Sequence, residues 1–181
     1  MTPPGPTRHV AFLRAINLGA QRKFPKTAVA DAVRAAGFEE VEVHLNTGNV
    51  GFLAAGERLD LERRLEEAFL AAAGFEVPTV VMTAAEMRDV VEHAAEFSAP
   101  GDDVGHHVSF LKAEPTAEAV AALQAAARDD ERAVVRGRAA HLLLGADYHR
   151  AKLTNALVER HLGIATARRI TVVREVARRW C

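Results

Sequence analysis

The sequence predicts an α+β protein built as tandem ferredoxin-like (split βαβ) halves, residues 9–96 and 105–181, with an extra helix after each. Three observations carry this. The stretch HVAFLRA at 9–15 returns as HVSFLKA at 107–113, 98 residues on. The apolar period switches between 2 and 3.6 in the same order in both stretches, reading β-α-β-β-α-β-α twice. Gly37, Gly74 and Gly163 stand where successive helical patterns end, as helix-stopping glycines do.

In the first half, Val10, Ala11, Phe12 and Leu13 are apolar without alternation, which suits a strand covered on both faces. The loop INLGAQRKFP follows, punctuated by Gly19 and Pro25. Val29, Ala32, Val33 and Ala36 recur at i, i+3, i+4 and i+7, a helix stripe. Val41, Val43 and Leu45 alternate with polar residues as a half-buried strand, and Asn46-Thr47-Gly48-Asn49 turns the chain into a second strand at Val50 and Phe52. Leu61, Leu65, Phe69 and Ala72 or Ala73 mark the next helix, and VPTVVM the next strand. Thr83 with Glu86 three residues on is a capping box that opens the last helix of this half.

The second half repeats the order. HHVSFLKA is a strand, and Thr116 caps a helix carrying Ala119, Val120, Leu123 and Ala127. RAVVRG and RAAHLLLG are strands around Arg136-Gly137-Arg138. Leu153, Ala156, Leu157 and Arg160 or His161 lie along a helix, ATARR is extended, and Thr171 opens a final helix with Val172, Val173, Val176 and Trp180. A duplication explains the repeated strand. The halves differ after it, where KAEPT replaces AINLGAQRKFP, so the longer loop is expected to have a function or an added packing role.

Composition narrows the class. The 181 residues are 49% hydrophobic and 26% charged, as in a globular soluble protein. A formal net charge of −1 creates no global field toward nucleic acid or membrane, so any anion site is a local patch. No apolar run approaches the roughly 20 residues needed to cross a bilayer. The opening MTPPGPTR lacks a signal-peptide core and reads as a short disordered tail. The single cysteine, Cys181, allows no internal disulfide, and a reducing cytoplasm is the expected location.

FLRAINLGAQRKFP, LNTGNVGF and KLTNALVERHLG, in that order, resemble the domain-of-unknown-function 1697 family of bacterial proteins. Its pattern is an FLRGINVGG opening, a Q-S-G-N-V-x-F hairpin, an S-K-L-T-N segment and a final T-x-R-N-W-like stretch. The resemblance runs from about His9 to Ala177 and implies two ferredoxin-like halves; it implies no activity. Ala15 and Ala20 stand where the family has glycine, Asn46 and Thr47 where it has Gln and Ser, Ala151 where it has Ser, and Arg169 and Ile170 where it has Asn and Trp. The two alanines stiffen the first loop and hinder close backbone approach by a ligand.

Three clusters could carry chemistry. The loop after the first strand offers Arg14, Asn17, Gly19, Arg22, Lys23 and Lys26 ahead of a helix start, an anion cradle without the P-loop spacing. Asn46, Thr47 and Asn49 can present amides and a hydroxyl beside it, though a tight hairpin alone also accounts for this chemistry. Lys152, Thr154 and Asn155 combine cation, hydroxyl and amide at a strand-to-helix junction that Arg168 can join, against the alternative of local backbone bonding. The eight histidines form no ligand framework, and no C-x-x-C, H-E-x-x-H or calcium loop exists, so no metal and no cofactor is expected.

The expected function is therefore binding of a small anionic or phosphorylated ligand at these junctions. Three alternatives stand beside it. One is a phosphoryl or acyl-phosphate hydrolase using Arg14 with Asn17 or Asn49, by analogy with other ferredoxin-like proteins. Another is a nucleic-acid binder stacking bases on Phe12 and Phe52, disfavoured by the 6% aromatic content. The last is a self-associating module, monomer or homodimer, since a ferredoxin-like sheet leaves one face to be covered.

Overall fold

The computed structural model describes residues 5–97, 105–145 and 147–181. It divides into two compact units: unit 1, Met1–Met87 with Arg178–Cys181, and unit 2, Arg88–Ala177. The described residues form two four-stranded antiparallel sheets and six α-helices. The chain is thus a mixed α+β protein.

Unit 1 runs β1 (Thr7–Leu13), α1 (Lys26–Ala35), β2 (Glu39–His44), β3 (Asn49–Ala54), α2 (Arg58–Ala73), β4 (Thr79–Thr83) and the start of α3 (Ala84–Phe97). Its sheet order is β2-β3-β1-β4. The unalternating run of β1 is central, and Val10 to Leu13 are at most 1% exposed. Burial of such side chains contributes about 1.5–3 kcal/mol each, which fixes β1 as the spine of the unit. Ala11, Leu13, Val50 and Phe52 pack with Val29 and Val33 of α1 and Leu61, Leu65 and Phe69 of α2. Two glutamates of α2, the buried Glu62 and the half-buried Glu66, bond β4: Glu62 accepts from Val81 N–H at 3.0 Å and Glu66 from Thr79 N–H at 2.8 Å. These bonds satisfy donors on the outer edge of the sheet that would otherwise template foreign strands. On the other sheet face Trp180 lies on Gly51, and its Nε1–H donates to Glu42 at 3.0 Å.

Unit 2 carries the rest of α3, then β5 (His106–Leu111), α4 (Ala117–Ala126), β6 (Arg132–Arg136), β7 (Ala139–Leu143), α5 (Asn155–Leu162), β8 (Ala165–Arg169) and most of α6 (Ile170–Trp180). Its sheet order is β6-β7-β5-β8. Leu111, Leu123, Ala140, Leu142, Leu153, Val158 and Leu162 form its core with α4 and α5. The two units share backbone detail. Leu13 N–H donates to Gly48 O and Arg14 N–H to Pro78 O, both at 2.9 Å; Leu111 and Lys112, each 98 residues on, donate to Arg138 O and Ile164 O at the same length.

The capping box is formed: Thr83 Oγ1 accepts from Glu86 N–H at 3.1 Å, and Glu86 accepts from Thr83 N–H at 2.7 Å. Two expectations are corrected. Met1–Pro4 of the expected N-terminal tail lie outside the described residues, but Thr7 and Arg8 belong to β1. They pair with Ala54 and Leu53, and Arg8 bonds Glu40. The fifth helix begins later than its pattern suggested. Thr154 caps it by accepting from Leu157 N–H, so Leu153 precedes the helix and Val158 with Leu162, not Ala156 with Leu157, form the buried stripe. Each residue turns the helix by about 100°, so a shifted start turns a different face inward. A short 3-10 turn at Tyr148–Arg150, without periodic signal, leads into it.

Candidate functional site

The expected site residues fall into two groups, one in each unit: Arg14, Asn17, Lys23, Asn46, Thr47 and Asn49 in unit 1, and Lys152, Thr154, Asn155 and Arg168 in unit 2.

In unit 1 the loop from Arg14 to Pro25 is organised around Asn17. Its Nδ2 donates to Phe24 O at 3.0 Å and to Asn46 O at 2.6 Å, and its Oδ1 accepts from Phe24 N–H at 2.8 Å. Asn17 adopts φ +55° and Ala15 φ +56°. The glycine usual at the position of Ala15 would reach this left-handed backbone freely, whereas alanine is strained there by about 1 kcal/mol. Arg22 secures the loop from the other side, donating to Ala15 O at 2.6 Å and Glu76 O at 2.7 Å and lying 4.5 Å over the Phe75 ring. In the hairpin, Asn49 is 0% exposed and donates to His44 O at 2.8 Å and Thr47 Oγ1 at 3.2 Å. Gly48 has φ +77°, and a Cβ there would lie 2.7 Å from Leu13 Cβ, so the turn requires glycine. Asn17, Asn46, Thr47 and Asn49 are thus brought together, but the amides of Asn17 and Asn49 bond to backbone and to the Thr47 hydroxyl, and Asn46 contributes its backbone carbonyl.

Beyond this knot the cations remain at the surface. Lys23 and Lys26 are exposed, and Arg14 is half-buried at the end of β1. Helix α1 starts at Lys26 after Pro25, whose ring offers no side-chain acceptor, and no acidic residue lies in its first turn. The first-turn N–H groups of Lys26, Thr27 and Ala28 therefore face outward with the positive end of the helix and no capping side chain. A shallow groove of about 320 Å³ adjoins them, lined by Lys26, Thr27, Ala30, Asp31, Arg34 and Val43. Asp31 is paired there with Arg34 at 3.2 Å.

In unit 2 the corresponding chemistry is satisfied from within. Glu131, buried, accepts from Lys152 N–H at 2.7 Å, Leu153 N–H at 3.0 Å and Arg128 N–H at 3.1 Å, and pairs with the Arg128 guanidinium. Burial pushes its carboxyl upward, but these backbone donors and Arg128 outweigh that and hold it below the ordinary range. The carboxylate thus takes up the backbone donors of Lys152 and Leu153. Thr154 is engaged as the α5 cap, and Asn155 accepts from Ser109 Oγ at 2.8 Å and donates to Ala165 O at 3.1 Å. Arg168 lies one residue out of phase with that contact. Ser109, which pairs with Ala167, points to α5; Arg168 pairs with Val108 and so lies on the opposite face of the sheet. It is 8% exposed and bonds Thr166 Oγ1 and Ala167 O, both at 2.8 Å, and burial lowers its pKa to about 10.

Glu131 escaped the sequence reading because an acidic residue in ARDDER carries no mark of burial. The α1 start had a readable signal, Pro25 followed by Lys26 with no acid in the first turn. Phe12 and Phe52 are both 0% exposed and offer no face for a base to stack on. Among the described residues no helix is long and apolar enough to cross a membrane, and no group of three or more His, Cys, Asp or Glu side chains is placed to hold a metal ion.

None of the curated proteins matches the sequence. The solved structure of a conserved bacterial protein from Streptococcus pneumoniae is similar with a TM-score of 0.75 at 18% identity, over 96% of this chain and 98% of that one, a likeness of fold. The model of the family described as "Protein of unknown function (DUF1697)" matches residues 7–141. The chain belongs to that family, the domain-of-unknown-function 1697 family.

Proposed function

We propose that the protein binds a small anionic, phosphorylated ligand at the first turn of α1 in unit 1. The observation that carries this is the uncapped helix start: three outward N–H groups, no first-turn acid, and the exposed Lys26 lining an open groove, with exposed Lys23 three residues before it. A phosphate there would take charge-assisted bonds from backbone and lysine and favourable energy from the helix dipole, about 0.3–1 kcal/mol for the last term alone. Asn17 and Arg22 hold the approach loop rigid rather than touching the ligand. Lys152, Thr154, Asn155 and Arg168 are not part of this site. The hydrolase reading is less well supported, because the amides of Asn17 and Asn49 already have internal acceptors.

The same proposal includes the architecture. Each unit is a ferredoxin-like domain and the two arose by duplication. Identical strand orders and the matching 98-residue offset of the bonds from Leu13 and Arg14 support this.

The test is titration of the ¹⁵N-labelled protein with inorganic phosphate, then with a panel of nucleotides and sugar phosphates. Amide resonances of Lys26, Thr27 and Ala28 are expected to shift, and Lys26→Glu with Lys23→Glu to weaken binding at least tenfold. Silence of these amides across the panel, or equal affinity in the charge-reversed variant, would overturn the reading.

A further inference from the structure

We propose that unit 2 contains an acid-sensitive latch, in which a buried pair of histidines, His106 on β5 and His141 on β7, secures the end of α3 against the sheet and releases it when the pair is doubly protonated. The geometry is specific. His106 Nε2 lies 3.1 Å from His141 Nδ1, and the two residues are 1% and 0% exposed. The second nitrogen of His141, Nε2, is buried with no hydrogen-bond partner. The ring of Phe97, in the last turn of α3, packs edge-on against the His141 ring, centroids 5.2 Å apart. Arg132 and Arg136 of β6 lie 5.6 and 5.5 Å from the Phe97 centroid, and Arg136 pairs with Glu96 at 2.8 Å. The end of α3 is therefore fastened through the Phe97 ring, held between His141 and the two guanidinium groups, and through the Arg136–Glu96 ion pair.

The proton count gives the switch its sense. A neutral pair holds one N–H in the shared bond, donated by either ring. One added proton goes to an outer nitrogen and leaves that bond intact. A second puts N–H on both inner nitrogens, which then repel. The surroundings oppose both steps. Among the described residues, His106 from β5, Arg132 and Arg136 from β6 and Arg168 from β8 share the His141 face by strand register, and α3 brings His93 and Glu96 to it. Of these six Glu96 is anionic, and it is engaged by Arg136. His107 lies on the opposite face. Desolvation, reinforced by His106, His93 and Arg136, lowers the pKa of His141 from 6.5 to about 3. A group lowered in this way supports the closed state fully above pH 6.5 and progressively less as pH falls toward 3, by up to tenfold in the opening equilibrium per pH unit for each proton taken up.

Hydrogen exchange of the whole chain across pH 7.5 to 4.5, corrected for intrinsic rates, tests this. Protection of amides in 88–97 and 139–143 is expected to be constant down to pH 6.5 and to fall at least tenfold by pH 4.5, while Trp180 emission, reporting unit 1, stays unchanged over the same range. His141→Gln, which keeps a donor and an acceptor without titrating, is expected to flatten the profile. Because that substitution also changes the packing beneath Phe97, the imidazole Cε1–H resonances of the unmodified protein give a second measure. A His141 titration near 6.5, or protection in 88–97 that does not change with pH, overturns the proposal.

Discussion

Replacing Gly51 by alanine is expected to destabilise unit 1 by about 2–4 kcal/mol through the indole that lies on it. A Cβ built at Gly51 sits 2.6 Å from Trp180 Cε2 and 2.7 Å from Cγ, with Cδ2 closer still. Carbon atoms rest near 3.5–4.0 Å, so the indole must retreat by about 1 Å. Trp180 is 6% exposed, and its Nε1–H bond to Glu42 is already 3.0 Å long, so the retreat breaks it. Losing a bond to a charged acceptor costs about 1.5–3 kcal/mol, and overpacking adds about 1–3 kcal/mol. The opposing gain from restricting the unfolded chain is only about 0.4–1 kcal/mol. Trp180→Ala should itself cost about 3–5 kcal/mol, and in that background Gly51→Ala should be neutral or slightly stabilising. Trp180 is the single tryptophan, so urea unfolding followed by its emission reads unit 1 for the Gly51 variant, and far-UV circular dichroism reads the others. If Gly51→Ala falls within about 0.5 kcal/mol of the parent with unchanged emission, or costs the same in both backgrounds, the close approach does not govern this face.

Asn17→Asp removes the donor to Phe24 O and Asn46 O and sets carboxylate oxygen against two carbonyls. Loss of about 2–3 kcal/mol is expected, with proteolytic cleavage inside 15–25 rising before global unfolding does; an unchanged cleavage rate would show that Asn17 does not hold the loop. Glu131→Gln keeps the shape but not the charge that gathers three backbone donors and Arg128, and is expected to lower stability by about 1.5–3 kcal/mol at neutral pH. Because the Glu131 pKa is lowered, its contribution is present above its unfolded value of 4.5 and lost as pH falls through the folded value. The gap between Glu131→Gln and the parent, measured as urea midpoints, should be constant above pH 5 and narrow as pH falls below 4.5; a gap that does not narrow with falling pH refutes the ionic role.

Much of the fold was legible because it rests on periodicity and punctuation. The unbroken apolar run of β1, the alternation of Val41 and Val43 in β2 and the Thr83–Glu86 box each have a local physical cause and appear where they were read, whereas Leu45, read into the same alternation, lies beyond β2 and is exposed. Failures came where a tertiary partner decided the outcome. The Thr154 cap displaced the helix stripe, and edge pairing with Ala54 and Leu53 drew Thr7 and Arg8 into β1. The candidate site was legible only as chemistry. Nothing local distinguishes Asn17, whose amide is bonded within its loop, from an amide free for a ligand, nor marks Glu131 among five neighbouring charged residues as the buried one. The sheet face of Arg168 follows from the pairing of β8 with β5, which no window of β8 alone contains.

The comparison of the two helix starts that follow the repeated strand gives the proposed site its physical basis. After β5 the chain needs only five residues to reach α4. Thr116 caps that helix by accepting from Ala119 N–H at 3.2 Å, and Glu118 supplies the first-turn negative charge. The positive end of α4 is thereby satisfied. After β1 the chain takes the longer course through Asn17 and Arg22, ends it on Pro25, and begins α1 with a lysine instead of an acid. An added loop is a conformational burden, and this one includes non-glycine residues at φ +55° and +56° that raise it further. A loop held only for packing would gain from a capping serine or threonine at its end, worth about 1 kcal/mol. Keeping proline there, with lysines on either side, leaves the helix start without that stabilisation in the one unit where a strained and rigid loop adjoins it. At the proposed site an external anion would supply the missing interaction, and a loop pinned by Asn17 and Arg22 would limit the entropy lost when it binds.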